Sequence, residues 1–262
     1  MGVLLALVPD GPHGHPIGRG AQSIQGQTSR PATRTTNVYN CCMCAHYESP
    51  HDRALLQKHF GIGLPSELAR RDVWPGYMST FIRRHPHADV GDDAVPAREA
   101  LLGSFGLIPH WSKDDKIARH TYNARSETVA EKPSFRDAWR RAQHCIIPVQ
   151  AFFEPDWRSG KAVPTRITQV SGEPMGLAGL WAQWRSPAGE TVHSFTMLTI
   201  NADEHPFMRN FHKPQDEKRS VVVLPPERYD DWLQARAGES GAFLRPWPAE
   251  QLAGEAPQSA WI

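Results

Sequence analysis

Residues 145–153 read CIIPVQAFF, a β-branched and aromatic run that only Pro148 and Gln150 interrupt. Such a run is typical of a buried strand. Runs of the same character, each bounded by turn residues, follow at residues 165–170, 176–184, 194–200 and 220–224. Many short strands with few long helices predict an α+β fold, built on a mainly antiparallel, barrel-like β-sheet with short peripheral helices.

Upstream of this run the pattern alternates between strands and short helices. Residues 77–83 and 100–107 are predicted strands. Short helices are predicted over residues 50–60, 64–71, 134–141 and 226–234.

The two ends of the chain differ from this body in composition. Residues 1–42 contain no Lys or Glu and are rich in Gly, Pro, Ser and Thr, so they cannot build a core. We therefore predict a disordered extension over residues 1–42, a folded catalytic domain over 43–244 and a loop-like tail over 245–262. We also expect the extension to be absent from the active protein.

Composition and charge exclude several classes of protein. The longest early apolar run, residues 3–8, is too short for a membrane span or a signal peptide. The formal net charge of the 262 residues is +1, which neither favours nor excludes a nucleic-acid partner. The four cysteines match neither a disulfide framework nor paired zinc ligands. We expect a cytoplasmic monomer that uses no cofactor, metal or membrane.

Cys44 follows a methionine at the point where globular composition begins. If translation starts at Met43, removal of that methionine leaves Cys44 first in the chain. An α-amine has a pKa of about 8, against about 10.4 for lysine, so more of it is neutral and ready to attack an aldehyde. The adjacent thiol can then close the Schiff base into a five-membered thiazolidine. An internal Cys44 cannot do this, and the alternative is a buried structural cysteine.

Two neighbouring stretches offer groups that bind nucleic acid. Residues 105–111 read FGLIPHW and end at Trp111, and residues 123–128 read NARSET. They supply an aromatic surface for stacking, the Asn123 amide to orient a substrate and the Arg125 guanidinium for a phosphate. The alternatives are a Trp111 in the core and a surface ion pair between Arg125 and Glu127.

Glu154, His205 and His212 are the candidate acids and bases. Glu154 ends an apolar run beside Phe153 and Pro155, where desolvation suits a carboxyl group to proton transfer. The alternative is a carboxylate at a strand end that points into solvent. Either histidine could be a general acid or base, or simply a polar loop residue.

Taken together, these segments resemble the SOS response-associated peptidase family, whose members act on abasic sites in single-stranded DNA. The resemblance covers residues 43 to about 233. It rests on residues 43–44, 105–111, 123–128, 132–136, 145–148, 152–154, 179–181, and 201–202 leading to His212.

The resemblance implies a role for each candidate residue. Cys44 would form a thiazolidine crosslink with the ring-opened sugar of an abasic site in single-stranded DNA, through both its amine and its thiol. The other implied roles are positioning of the cysteine by Asn123, a phosphate or sugar contact by Arg125, a proton shuttle at Glu154, sugar-ring opening by His212 and stacking beside the lesion by Trp111.

The sequence departs from the family pattern at two places. The usual Cys-Gly-Arg opening is here Cys44-Ala45-His46, so an early basic contact to DNA is expected to weaken or to depend on pH. After His212 the family's short Arg-Met-Pro run is replaced by the longer KPQDEKR of residues 213–219. Candidates for the missing basic contact to DNA are Lys213, Lys218 and Arg219. We favour His212 over His205, because the family histidine lies just before the next apolar strand.

The sequence is consistent with three functions. The first is a DNA-repair protein that crosslinks to abasic sites, with thiol-dependent, lyase- or hydrolase-like chemistry. The second is a cysteine peptidase or self-processing hydrolase that uses Cys44, Glu154 and His212. The third is a metal-binding or adaptor module built on Cys41, Cys42, Cys44 and His46.

Overall fold

Two β-sheets carry the fold in the computed structural model, which describes residues 45–63, 70–92 and 94–256. The strands in these residues are β1 (Tyr47–Glu48), β2 (Asp72–Val73), β3 (Met78–Arg84), β4 (Arg98–Phe105), β5 (Asn123–Arg125), β6 (His144–Val149), β7 (Ala151–Asp156), β8 (Val163–Gln169), β9 (Met175–Arg185), β10 (Thr191–Asn201), β11 (Arg219–Val221), β12 (Val223–Leu224) and β13 (Leu252–Glu255). The α-helices are α1 (Arg53–Phe60), α2 (Arg136–Arg140) and α3 (Tyr229–Gln234).

Five of the strands close into a barrel. Antiparallel pairings join β4 to β3, β3 to β6, β6 to β9 and β9 to β10, and a parallel pairing of β10 with β4 completes the ring. Strands β5 and β11 pair with the far end of β10, and β12 pairs with β9. The second sheet has the order β13-β8-β7-β1-β2 and is antiparallel throughout. The predicted α+β fold with a barrel-like, mainly antiparallel sheet is confirmed.

The run at residues 145–153 is where the chain crosses from one sheet to the other. It forms two strands, because Gln150 separates β6 in the barrel from β7 in the second sheet. The main-chain N–H of Gln150 donates to the carbonyl of Glu48 at 2.7 Å. Val149 and Phe152, on either side of the crossing, are buried in one core cluster. The crossing delivers the end of β7, and with it Glu154, to the second sheet.

Several short elements differ from the sequence prediction. The predicted loop-like tail is corrected, because Leu252–Glu255 forms β13 against β8 and the Leu252 side chain is buried. The helix predicted over residues 64–71 falls mostly at residues 64–69, outside the described residues. The helix predicted over residues 50–60 begins at Arg53, because the Asp52 side chain accepts from the first free N–H groups. In the parts of the chain that the structure describes, no helix is long and apolar enough to cross a membrane.

Gly106 fixes the start of the loop that carries Trp111. Its φ is +117°, and a Cβ added there would lie 2.0 Å from the carbonyl oxygen of Ala118. We expect Gly106→Ala to lower the free energy of unfolding by about 2–4 kcal/mol, since both the backbone conformation and the contact are forbidden. Urea unfolding measures this. Gly238→Ala, where a Cβ meets nothing within 4 Å, is the control, and equal stabilities for the two variants would contradict the packing described.

His144 makes the stability of the barrel depend on pH. Its ring is 2% exposed and stacks on Trp232 at 3.9 Å, and burial lowers its pKa to about 4. Between about pH 4 and 6.5 the unfolded chain therefore binds a proton at this residue that the folded chain does not. Stability is thus lost as the pH falls through this window, by up to about 3 kcal/mol. Urea unfolding at several pH values should show that the free energy of unfolding falls less on acidification in His144→Gln than in the parent. The same dependence of the unfolding free energy on pH in both proteins would contradict this role of His144.

Candidate functional site

A buried carboxylate and a buried imidazole face each other at the end of β7. Glu154 is 2% exposed and His212 is 3% exposed. His212 Nδ1 lies 3.6 Å from Glu154 Oε2. His212 has a φ of +65°, which is rare outside glycine, and its N–H donates to the carbonyl of Pro155 at 2.9 Å. The fold thus brings together two of the predicted catalytic residues and holds one in a strained conformation, as is common at functional sites.

The hydrogen bond on the far side of the imidazole fixes its protonation pattern. His212 Nε2 lies 3.3 Å from the main-chain carbonyl oxygen of Arg219. A carbonyl can only accept, so Nε2 carries a hydrogen and Nδ1 of the neutral ring turns its lone pair to Glu154. Nδ1 and Oε2 are 3.6 Å apart, which is longer than a hydrogen bond, so the two groups face each other without a direct bond between these atoms. A carboxyl group and an imidazole placed together in this way are suited to general acid–base catalysis.

The described chain begins two residues before β1, which pairs with β7, the strand that carries Glu154. The main-chain N–H of Phe153 donates to the carbonyl of His46 at 3.0 Å, in the antiparallel register of β1 and β7. Ala45, the first described residue of this segment, precedes His46 and lies outside β1. Cys44, the predicted nucleophile, lies outside the described residues, and it is bonded to Ala45.

The His46 ring packs against Phe153, the residue that precedes Glu154. The ring stacks between Trp74 at 4.2 Å and Phe153 at 4.1 Å, and its Nε2 lies 2.9 Å from Asp72 Oδ1. Burial lowers the pKa of the His46 ring, although the Asp72 carboxylate opposes the shift. The ring is enclosed by protein groups, and the weakened basic contact to DNA at this position stays a prediction.

A metal site finds no support in the described part of the chain. There, no group of three or more His, Cys, Asp or Glu side chains could hold a metal ion. Of the four ligands considered, Cys41, Cys42 and Cys44 lie outside the described residues, and His46 is engaged as above.

Asn123 and Arg125 lie on β5, which pairs in parallel with β10. Alternate residues of a strand share a face, so both side chains lie on the same side of this strand. Asn123 is half-buried and Arg125 is exposed. Arg125 Nη1 lies 2.7 Å from Glu217 Oε2. The alternative pairing of Arg125 with Glu127 is thereby corrected, because its carboxylate partner comes from the loop after His212.

Arg219 is buried beneath that loop. Its side chain is 1% exposed, and its two terminal nitrogens each lie 2.8 Å from an oxygen of Glu127. One of them also lies 2.7 Å from Glu217 Oε1, and the other donates to the carbonyl of Thr199 at 2.8 Å. The hydrogen bonds from Arg219 lower the pKa of Glu127 to about 2. The guanidinium is held by protein acceptors, which does not favour a contact with DNA, and the contact predicted for Arg219 stays untested.

Lys213 lies next to His212 and stays a candidate for contact with DNA. Its ammonium lies 5.6 Å from the centre of the Trp157 ring, a cation–π contact. Its main-chain carbonyl accepts a hydrogen bond from the Lys218 ammonium. The two lysines therefore form a basic edge beside the imidazole.

Trp111 is exposed rather than in the core. Its side chain is 48% exposed, on the loop that follows β4. The neighbouring Ser112 carbonyl accepts from Trp184 Nε1 at 2.7 Å, which fixes the loop to the barrel. An exposed indole on a fixed loop suits stacking against a base.

His205 holds a turn together. Its Nδ1 accepts from the N–H groups of Phe207 and Met208 at 3.1 and 3.0 Å, and its Nε2 lies 2.7 Å from the carbonyl of Trp247. Both ring nitrogens are thus used within the fold, which favours His212 as the acid or base.

Two residues of the site, Glu217 and Asp72, are not predicted from the sequence. Glu217 lies in the charged run of residues 213–219, and that departure from the family pattern was the available signal. Asp72 carries no such signal, because its partner His46 lies 26 residues away.

Comparison with known proteins supports one family. Residues 43–256 match the sequence model described as SOS response associated peptidase. The abasic site processing protein YoqW of Bacillus subtilis is 34% identical over 152 residues, which cover 56% of this chain and 64% of YoqW. The abasic site processing protein HMCES of Gallus gallus is 25% identical over 187 residues, 63% of this chain and 54% of HMCES. The matched part therefore spans less than two thirds of these curated relatives.

A solved structure is similar in sequence and in fold. The crystal structure of a protein from Bordetella bronchiseptica has 47% identity and a TM-score of 0.74, and the alignment covers 82% of this chain and 100% of that one.

Proposed function

The chain belongs to the SOS response-associated peptidase family, and on that premise we propose that it captures abasic sites in single-stranded DNA as a covalent crosslink through Cys44. The observation that carries this proposal is the buried Glu154–His212 pair, 3.6 Å apart, in which Glu154 lies on the strand that pairs with β1, and β1 begins three residues after Cys44. Curated relatives described as abasic site processing proteins support the choice of substrate.

The proposal requires Cys44 to be the first residue of the active protein. The match to the family model begins at residue 43, which supports a start at Met43 followed by removal of the methionine. Residues 1–42 would then be absent from the active form. With any residue still attached, the nitrogen of Cys44 is an amide, which is not a nucleophile.

The chemistry needs one proton to be moved at each step. The α-amine attacks the aldehyde carbon of the ring-opened sugar and gives a carbinolamine. A proton from the Glu154–His212 pair lets the hydroxyl group leave as water, and the nitrogen returns its own proton to the pair as the C=N bond forms. The thiol sulfur then bonds to that carbon while the nitrogen takes up the proton of the thiol. One water is released overall, and nothing is oxidised or reduced.

The remaining residues bind and orient the strand in this proposal. His212 exchanges protons with the sugar oxygens so that the ring opens to the aldehyde. Asn123 positions the cysteine, Arg125 contacts a phosphate or sugar, and Trp111 stacks beside the lesion. Lys213 adds a positive charge near the backbone of the strand.

The experiment that tests the proposal uses protein that starts at Cys44 and an oligonucleotide with one abasic site. We expect a product that survives heat and denaturant on a gel, and none with the undamaged oligonucleotide. Cys44→Ser retains the amine and lacks the sulfur, so it should lose the stable product. A stable product from Cys44→Ser would contradict thiazolidine formation.

Arg125→Ala is expected to weaken the binding of undamaged single-stranded DNA. The slope of log affinity against log salt should fall in magnitude by about one, because one phosphate contact is lost. Fluorescence anisotropy at several salt concentrations measures this slope. Arg228→Ala, which removes another exposed arginine in a 2.7 Å ion pair, serves as the control. An unchanged slope in Arg125→Ala would assign Arg125 to a purely structural ion pair.

Self-processing before Cys44 is a second candidate activity. It is favoured by the same Glu154–His212 pair, whose Glu154 lies on the strand that pairs with β1, and by the word peptidase in the description of the family model. Intact mass of the purified 262-residue chain over time tests it. Loss of the residues before Cys44, abolished in Glu154→Gln, would support it, and a constant mass would contradict it.

A further inference from the structure

Glu217 bridges the two arginines of the site. Its Oε2 lies 2.7 Å from Arg125 Nη1, and its Oε1 lies 2.7 Å from Arg219 Nη1. We propose that Glu217 is a built-in competitor of the DNA phosphate: its carboxylate occupies the Arg125 guanidinium until a phosphate of the strand displaces it. This inference rests on the proposed function, because it presumes that Arg125 meets the DNA backbone.

The carboxylate is held in place as an anion. Arg219, which binds one of its oxygens, is itself fixed by Glu127 and by the carbonyl of Thr199. Asn201 Nδ2 donates to the same oxygen of Glu217 at 3.1 Å. Burial acts to raise the pKa of Glu217, but the hydrogen bonds from Asn201 and Arg219 outweigh it and hold that pKa below its usual value. Glu217 is therefore charged at neutral pH, and Arg219 and Asn201 hold its carboxylate in place.

Arg125, by contrast, sits on the exposed side of this contact. Its side chain is 47% exposed, and ion pairs at such exposure are weak and sensitive to salt. A phosphate offers the guanidinium the same kind of charged oxygen acceptors as a carboxylate does. Exchange of one anion for the other is therefore easy.

The exchange leaves no buried charge without a partner. When Arg125 turns to a phosphate, Glu217 keeps its contacts with Arg219 and Asn201. The negative charge of Glu217 then remains close to the phosphate and repels it. Glu217 thus lowers affinity for any single strand, damaged or not, and leaves discrimination to the covalent step.

The test is Glu217→Gln, which retains the shape of the side chain and an oxygen acceptor for Arg219. We expect undamaged single-stranded DNA to bind on the order of fivefold more tightly at low salt, with a gain that shrinks as salt is added, because salt screens the Arg125–Glu217 contact that the variant removes. Glu204→Gln removes an exposed carboxylate from the neighbouring loop and is the control for the change in net charge. Its effect should be much smaller.

The double variant Arg125→Ala/Glu217→Gln distinguishes the Arg125–Glu217 contact from a general effect of the Glu217 charge on DNA binding. The gain from Glu217→Gln should disappear when Arg125 is absent, as expected for two residues that act on each other. A melting curve checks that each variant is folded, and Glu217→Ala is expected to act in the same direction.

The outcomes distinguish this inference from the proposed function. Unchanged or weaker binding by folded Glu217→Gln, with normal crosslinking to abasic DNA, would overturn the competitor role and leave the crosslinking function intact. A gain that persists without Arg125 would also overturn it. Failure of the parent to bind single-stranded DNA or to crosslink would overturn both.

Discussion

Glu154→Gln is expected to slow crosslink formation by about a hundredfold to ten-thousandfold, the range that general acid–base catalysis contributes. The glutamine side chain fills the same buried space and can donate a hydrogen bond to His212 Nδ1, which lies 3.6 Å from Oε2 in the parent. It cannot give up a proton, so the carbinolamine would lose its nearby acid. Binding of undamaged DNA should change little.

Single-turnover measurements with protein in excess over an abasic-site oligonucleotide give this rate directly. Glu190→Gln, at an exposed turn between β9 and β10, is the matched control and should react like the parent. Equal rates for folded Glu154→Gln and the parent would remove Glu154 from the proton transfer.

Residues left upstream of Cys44 are expected to abolish the stable crosslink altogether. A peptide bond turns the α-amine into an amide, which cannot form a Schiff base, and no change elsewhere in the site compensates for that loss. We expect protein that starts at Cys44 to react, and protein that retains Met43, or all of residues 1–43, to give no product.

The N-terminus of each protein must be known for this comparison. Intact mass before and after the reaction establishes which residue is first. A heat-stable crosslink formed by a chain whose mass shows Met1 still attached would contradict the mechanism. A product from the Met43-Cys44 chain that appears only after loss of the methionine would agree with it.

Much of the fold could be predicted from local sequence. The run at residues 194–200 lies within β10, and the run at residues 165–170 overlaps β8 up to its last residue, because β-branched and aromatic side chains between turn residues indicate buried strands. Strands β1, β2 and β5 have only two or three residues and went unpredicted. Their pairing depends on partners far along the chain, so a local pattern does not reveal them.

The candidate site, like the fold, could be predicted only in part from the sequence. Glu154 and His212 could be picked out by their chemistry and by the order of the motifs, and the fold places them face to face. The burial of Arg219 could not be predicted, because its carboxylate partner Glu127 lies 92 residues away. Nor could the stacking of His46 between two aromatic rings. Both side chains look like free basic groups in the sequence, and only tertiary contacts enclose them.

The most direct measurement is the mass of the crosslinked peptide. After reaction with an abasic-site oligonucleotide and digestion with trypsin and nuclease, the peptide of residues 44–53, CAHYESPHDR, should carry the sugar fragment. Its mass should equal that of peptide plus aldehyde less one water, its first residue should be Cys44, and its thiol should no longer react with alkylating agents. An adduct on a lysine, a Cys44 thiol that still alkylates, or a crosslinked peptide that begins upstream of Cys44 would contradict covalent capture by an N-terminal cysteine.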